Sequence, residues 1–209
     1  MSPFRSVLLA ALALCVVASP VVAADLKDLQ NPLKDAKAGE WTKYKVSYSG
    51  MGGPPQEVPM KASVVKETET TVDLKSEMEI MGMPQENITT VERNATIVDA
   101  LTGGGRAGPL GGQGQNVKSL SSRVEDVDYE HDGTTYKAKK VSIEVSAEFS
   151  LGGAEGMGMP VKMKIVQIMS YDIPVSGVLK TDSTIQLDMG GAPMEIKASQ
   201  VLDEFGTDQ

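Results

Sequence analysis

The side chains in this 209-residue chain that could bind or react belong mostly to methionines, which form two groups beside Met-Gly turns. The first group is Met78, Met81 and Met83, and the second is Met157, Met159 and Met163. Thioether sulfur is a soft ligand that suits Cu(I) or Ag(I). Methionine also fills irregular gaps in cores and lines adaptable apolar pockets. The spacing leaves three interpretations open: ordinary packing, an adaptable apolar binding mouth, and a soft-metal site.

The remaining side chains give little indication of a catalytic site. His131 is the only histidine, and it lies in the segment EHDG at 130–133, which is typical of an exposed hairpin turn. A triad requires a histidine oriented by a carboxylate and set beside a nucleophile. The only cysteine, Cys15, falls in the N-terminal signal described next, so the mature chain has no thiol and no disulfide. The sequence therefore predicts a protein that is not an enzyme and that holds no cofactor.

Residues 1–24 have the pattern of a cleaved secretory signal. Arg5 precedes an apolar run at 6–17, and small residues follow, so cleavage is expected after Ala23 or Ala24. No later segment approaches the roughly 20 apolar residues that a spanning helix needs. The sequence therefore predicts a periplasmic or secreted protein without a transmembrane segment.

The remaining residues, 25–209, fall within the usual size of a single domain. The whole chain carries 28 acidic and 20 basic residues, which gives a net charge of −8. No basic block is present, and this argues against a nucleic-acid partner. The sequence does not specify an oligomeric state.

Alternation of apolar and polar residues dominates the domain, with glycine and proline between the alternating runs. The most complete unit covers 157–193, where alternating runs at 161–171 and 179–187 flank a bend at 173–177. In the first half the alternation is most regular at 72–80. We expect eight or nine strands in all. Two further segments are assigned to loops: Asp132-Gly133 is predicted to be a hairpin turn, and the glycine-rich segment 103–114 a mobile loop.

The strand pattern predicts a mainly β fold. No segment suits the long helix that joins parallel neighbours, so the strands should be antiparallel. One face of the strands is apolar, and a single sheet must bury that face by curling or by taking a cover. We therefore expect a single strongly curved antiparallel sheet, a half-barrel-like meander, with a short N-terminal helix. Asn31 is placed to cap that helix, with Pro32 at its first position and Gly39 beyond its end.

Two short motifs resemble a group of uncharacterised bacterial secreted proteins. The segment DIPVSGVLK at 172–180, with the ending LDEFG at 202–206, resembles their closing segment, and GEWTKY at 39–44 resembles their opening. The resemblance implies a periplasmic β-sheet protein, similar in expected shape to periplasmic lipoprotein carriers. The chain departs from the pattern in two ways. Residues 169–171 stand where those proteins have a tryptophan before the proline bend, and the turns of this chain are rich in methionine.

These observations predict a non-catalytic protein with a concave apolar sheet face. The expected partner is a hydrophobic ligand or lipid, such as an acyl chain, or an envelope protein bound on that face. The alternative is a soft-metal binding protein that uses the two methionine groups to hold Cu(I) or Ag(I).

Overall fold

Nine antiparallel strands form one open sheet in the computed structural model of the chain. The structure describes residues 26, 29, 31–50, 54–80, 83–94, 115–150, 158–188 and 193–208. The strands are β1 (Glu40–Ser49), β2 (Gln56–Glu67), β3 (Thr71–Ile80), β4 (Met83–Glu92), β5 (Gln115–His131), β6 (Thr134–Ser150), β7 (Gly158–Met169), β8 (Val178–Asp188) and β9 (Pro193–Thr207). The predicted signal at 1–24 and the glycine-rich segment at 103–114 lie outside the described residues.

The strand order is β4-β3-β2-β1-β9-β8-β7-β6-β5, so the first and last strands are neighbours at the centre of the sheet. Each of the other pairings joins strands that follow each other along the chain, in an antiparallel register. The prediction of a mainly β, antiparallel sheet is confirmed. The Asp132-Gly133 turn between β5 and β6 is confirmed as well, and both residues have positive φ, 47° and 75°.

Among the described N-terminal residues, one complete 3₁₀ turn is present, Pro32–Asp35, and the described residues contain no α-helix. The Asn31 side chain accepts a hydrogen bond from the Leu33 N–H at 3.0 Å, as an N-cap does. The turn ends at once because Ala36 returns to extended backbone and leads towards β1. Within the described residues, no helix is long and apolar enough to cross a membrane.

One face of the sheet, here the inner face, carries most of the core. Its side chains form three clusters. The first, the β6–β9 cluster, contains Val141, Ile143, Val145, Val161, Met163, Ile165, Met169, Ile185, Leu187 and Ile196, with Leu26 and Leu29. The second, the β1 cluster, contains Tyr44, Val46, Tyr48, Val58, Ala138, Ile173, Val178, Leu179, Ala198 and Leu202. The third, the strap cluster, contains Leu33, Ala36, Val64, Val72 and Val175.

Two segments cover the inner face. The N-terminal strap consists of Leu26, Leu29 and residues 31–38, and its leucines pack in the β6–β9 and strap clusters. The second segment is the β7–β8 bend at 170–177, whose Val175 is 1% exposed in the strap cluster. The inner face is thus buried largely by segments of the chain itself.

Candidate functional site

Three methionines share one corner of the inner face. Met60 of β2 lies directly opposite Met78 of β3. Met78 in turn lies opposite Gln85 of β4, and Met83 is two residues from Gln85 on the same side of that strand. Directly opposed Cβ atoms are about 5 Å apart, and diagonal pairs are about 7–8 Å apart. We call Met60, Met78 and Met83 the methionine corner.

The methionine corner lies at the partly uncovered β4 edge of the inner face, where Asn87 and Thr89 are exposed as well. Met60 and Met78 are half-buried and pack against the β1 cluster, which contains Tyr44 and Tyr48. Met83 is 44% exposed. The strap and the bend therefore leave this corner partly open, at an edge that combines thioethers with polar side chains such as Gln85.

The structure separates the six methionines proposed from the sequence. Met78 and Met83 come together, whereas Met163 is a buried member of the β6–β9 cluster, opposite Val145 and Ile185. Met81 and Met157 lie outside the described residues, as does the side chain of Met159. The first group is thus partly assembled on one face, and the described member of the second group fills the core.

Met60 is the member of the corner that sequence reasoning missed. It reaches Met78 through the register of β2 with β3, and not through nearness along the chain. Its position in the alternating run 58–64, on the same side as Val58 and Val64, was the signal that could have placed it on the inner face.

His131 lies at the shoulder of the β5–β6 hairpin. Its side chain is only 13% exposed, so the expectation of an exposed histidine is wrong, but its Nε2 is 3.5 Å from a carboxylate oxygen of Asp132, whose side chain is 82% exposed. A carboxylate in solvent cannot orient the imidazole as a buried triad partner does. Among the described residues, no group of three or more His, Cys, Asp or Glu side chains could hold a metal ion.

A buried tyrosine fastens the β7–β8 bend to the centre of the sheet. The hydroxyl of Tyr44 on β1 forms a hydrogen bond with the hydroxyl of Ser176 in the bend. Burial raises the pKa of the Tyr44 phenol, and the bond with Ser176 offsets part of that change. The phenol therefore stays neutral and serves as a tie between the two elements.

Arg93 is one of the residues that hold the N-terminal strap, together with Asn31, whose side-chain amide donates to the Glu92 carbonyl oxygen at 3.1 Å. The Arg93 guanidinium, which follows β4, donates to the carbonyl oxygens of Lys34 at 2.7 Å, Ala36 at 2.8 Å and Thr68 at 2.9 Å. It also forms an ion pair with Glu67, and its side chain is only 14% exposed. Bonds from a charged donor are stronger than neutral ones, so the strap's position depends heavily on this one side chain.

Comparisons with protein-family models, curated proteins and solved structures gave no match to this chain. Its function is therefore inferred from its own site. Three thioethers at the edge of an apolar face, beside the buried β1 cluster, are suited to contact hydrocarbon or to ligate a soft metal.

Proposed function

We propose that this chain is a non-catalytic periplasmic or secreted protein that binds a hydrophobic ligand, such as an acyl chain, on its inner face. The ligand enters at the methionine corner. The observation that supports this proposal is the partial exposure of Met60 and Met78 beside the buried β1 cluster. Flexible thioethers adapt to ligands of varied shape. An envelope protein that offers an apolar segment is the alternative occupant of the same face.

We infer that the sheet is strongly curved, as a half-barrel that wraps a ligand would be. In a flat sheet three strand spacings, about 14 Å, would separate β8 from β2. Val175, in the bend that precedes β8, nevertheless belongs to one cluster with Val64 of β2 and Val72 of β3. A curl of the inner face towards the bend accounts for this contact. The resemblance to proteins shaped like lipoprotein carriers agrees with such a curl.

Ligand entry requires the N-terminal strap to move. Leu26 and Leu29 pack in the β6–β9 cluster, and Leu33 packs in the strap cluster with Val64 of β2, so the strap covers the inner face on both sides of its centre. Arg93 fixes the following residues of the strap. The strap is therefore a displaceable cover, and its release should control how quickly an apolar ligand binds.

Replacing Arg93 with methionine tests this arrangement. The variant loses charge-assisted bonds worth about 1.5–3 kcal/mol each. We expect a neutral dye, N-phenyl-1-naphthylamine, to bind wild type and to associate about tenfold faster or more with Arg93→Met, since each 1.4 kcal/mol is a factor of ten. Stopped-flow fluorescence measures the rate, and near-ultraviolet circular dichroism verifies that the variant is folded.

Arg123→Met is the matched control, because the Arg123 side chain is 74% exposed and forms an ion pair with Glu125 of the same strand. Its association rate should equal that of wild type. If folded wild type and folded Arg93→Met both fail to bind the dye, and no lipid is found by native mass spectrometry, the inner face is a closed core and the proposal is wrong.

The second candidate function is soft-metal binding, which the convergence of three thioethers favours. Replacing Met60, Met78 and Met83 together with leucine should abolish binding of Cu(I) in competition with a chromogenic chelator. Because leucine conserves volume, the same variant should keep dye binding. Met163→Leu, in the core, is the control, and it should change neither Cu(I) binding nor dye binding. Unchanged Cu(I) binding by the triple variant would exclude the corner as a metal site.

A further inference from the structure

Three neutral polar side chains lie side by side in the middle of the apolar inner face. Gln167 of β7 is opposite Thr181 of β8, and Thr181 is opposite Gln200 of β9. They are 8%, 1% and 5% exposed. The same register continues to Val141 on one side and to Val46 on the other. We call Gln167, Thr181 and Gln200 the polar row.

The polar row interrupts the hydrophobic core. Met169, Leu179 and Leu202 lie on one side of it, and Ile165, the buried Ser183 and Ala198 lie on the other. Within the described part of the chain, the Thr181 hydroxyl is buried and has no hydrogen-bond partner. Valine would fill nearly the same space without the cost of burying an unpaired hydroxyl. The hydroxyl therefore has no evident structural role in the core.

The chemistry of the row defines what it could hold. A threonine hydroxyl and two carboxamides offer both donors and acceptors, and none of the three is charged. A buried carboxylate or ammonium would need a counter-charge, which the row lacks. A carbonyl oxygen accepts hydrogen bonds without carrying a charge. The row is thus suited to the ester or amide group of a lipid.

The position of the row relative to the methionine corner fits one acyl ligand. Gln200 of β9 lies opposite Val46 of β1, and Val46 lies opposite Val58 of β2. Val58 is followed on the same side of β2 by Met60 of the methionine corner. Two strand spacings, about 10 Å, separate Gln200 from Val58. A hydrocarbon chain lying along this path would have its tail at the corner and its head at the row.

We propose that the polar row is the subsite for the neutral carbonyl group, ester or amide, of an acyl ligand. This inference rests on the proposed function and adds the ligand class to it. The Thr181 hydroxyl and the carboxamide of Gln167 or Gln200 donate to the carbonyl oxygen. Apolar ligands without that group bind the same face but leave the row unpaired.

Thr181→Val is the direct test, with Thr184→Val as the matched control. Thr184 lies on the same strand but faces the opposite side, beside Lys164 and Lys197. The probes are methyl laurate and n-tridecane, which have similar chains but differ in the ester. Each is titrated against bound N-phenyl-1-naphthylamine.

Wild type and Thr184→Val should prefer methyl laurate over tridecane. Thr181→Val should reduce that preference about two- to tenfold, the range expected for one net hydrogen bond. Its affinity for tridecane should be unchanged or higher. A change in the ratio of the two affinities is an effect that loss of stability alone would not produce.

The other outcomes separate the two proposals. If both probes bind and their ratio is the same in wild type and Thr181→Val, the row is a buried polar or hydrated feature of the core. The carbonyl inference is then wrong while the proposed function stands. Tighter binding of laurate than of methyl laurate would overturn the neutral ligand class. If neither probe displaces the dye, the proposed function fails and this inference fails with it.

Discussion

Replacing Gly50 with alanine should destabilise the protein by about 3–5 kcal/mol, one of the largest single effects we expect in this chain. Gly50 follows β1 and has a φ of 103°. A Cβ there would lie 1.9 Å from the carbonyl oxygen of Glu195 in β9. The obstructing atom belongs to the backbone, so β1 and β9 would have to separate at the centre of the sheet.

Gly133→Ala is the matched control. Gly133 also has positive φ, 75°, but a Cβ at this position meets nothing within 4 Å. Gly133→Ala should lose stability through backbone strain alone, by about 1–2 kcal/mol. Urea unfolding of both variants measures the difference. Equal losses of stability would mean that β1 and β9 do not approach each other as closely as the structure has them.

The strands were predictable because their signals are local. A period of two along the chain, with glycine or proline between the runs, identifies strands such as β3 and β8 without knowledge of their partners. The pairing of β1 with β9 was not predictable in this way. Its partners, such as Tyr44 and Leu202, lie far apart in the sequence, and their pairing depends on how the two halves bury a common face.

The candidate site was predictable only in part, for the same reason. Nearness along the chain grouped Met78 with Met83, but it also grouped Met163 with a turn, although Met163 alternates with Lys162 and Lys164 and faces the core. Met60 joined the corner through strand register. The polar row was missed because its three residues lie on three different strands. Only the register of those strands shows that they are neighbours.

The β7–β8 bend combines two unusual backbone positions. Val175 has a φ of 66°, which a β-branched residue rarely adopts, and it is 1% exposed. Gly177 has a φ of 67°, and its carbonyl oxygen accepts a hydrogen bond from the Ser170 N–H at 2.8 Å. The strap cluster and the bond of Ser176 to Tyr44 hold this conformation in place. The sequence interpretation of 173–177 as a structural bend agrees with these contacts.

Gly177→Val should lower the free energy of unfolding by about 2–4 kcal/mol. A Cβ on Gly177 would lie 2.8 Å from Cβ of Pro32 and 3.2 Å from the Ser170 carbonyl oxygen. Valine therefore adds strain at positive φ to a clash with the strap. Gly206→Ala is the control, because its Cβ would meet the Trp41 ring at 2.9 Å, where a side chain can shift, and its φ is not positive. Gly206→Ala should therefore lower the free energy of unfolding by less than Gly177→Val does.

Thermal melts and dye binding together decide the role of the bend. A structural bend predicts that Gly177→Val lowers the melting temperature, while the fraction that stays folded still binds N-phenyl-1-naphthylamine. The strap contact at Pro32 even predicts faster association of the dye, because displacing that ring loosens the cover over the inner face. Melting equal to wild type with loss of dye binding would instead make 173–177 a ligand contact, and the structural assignment of the bend would be wrong.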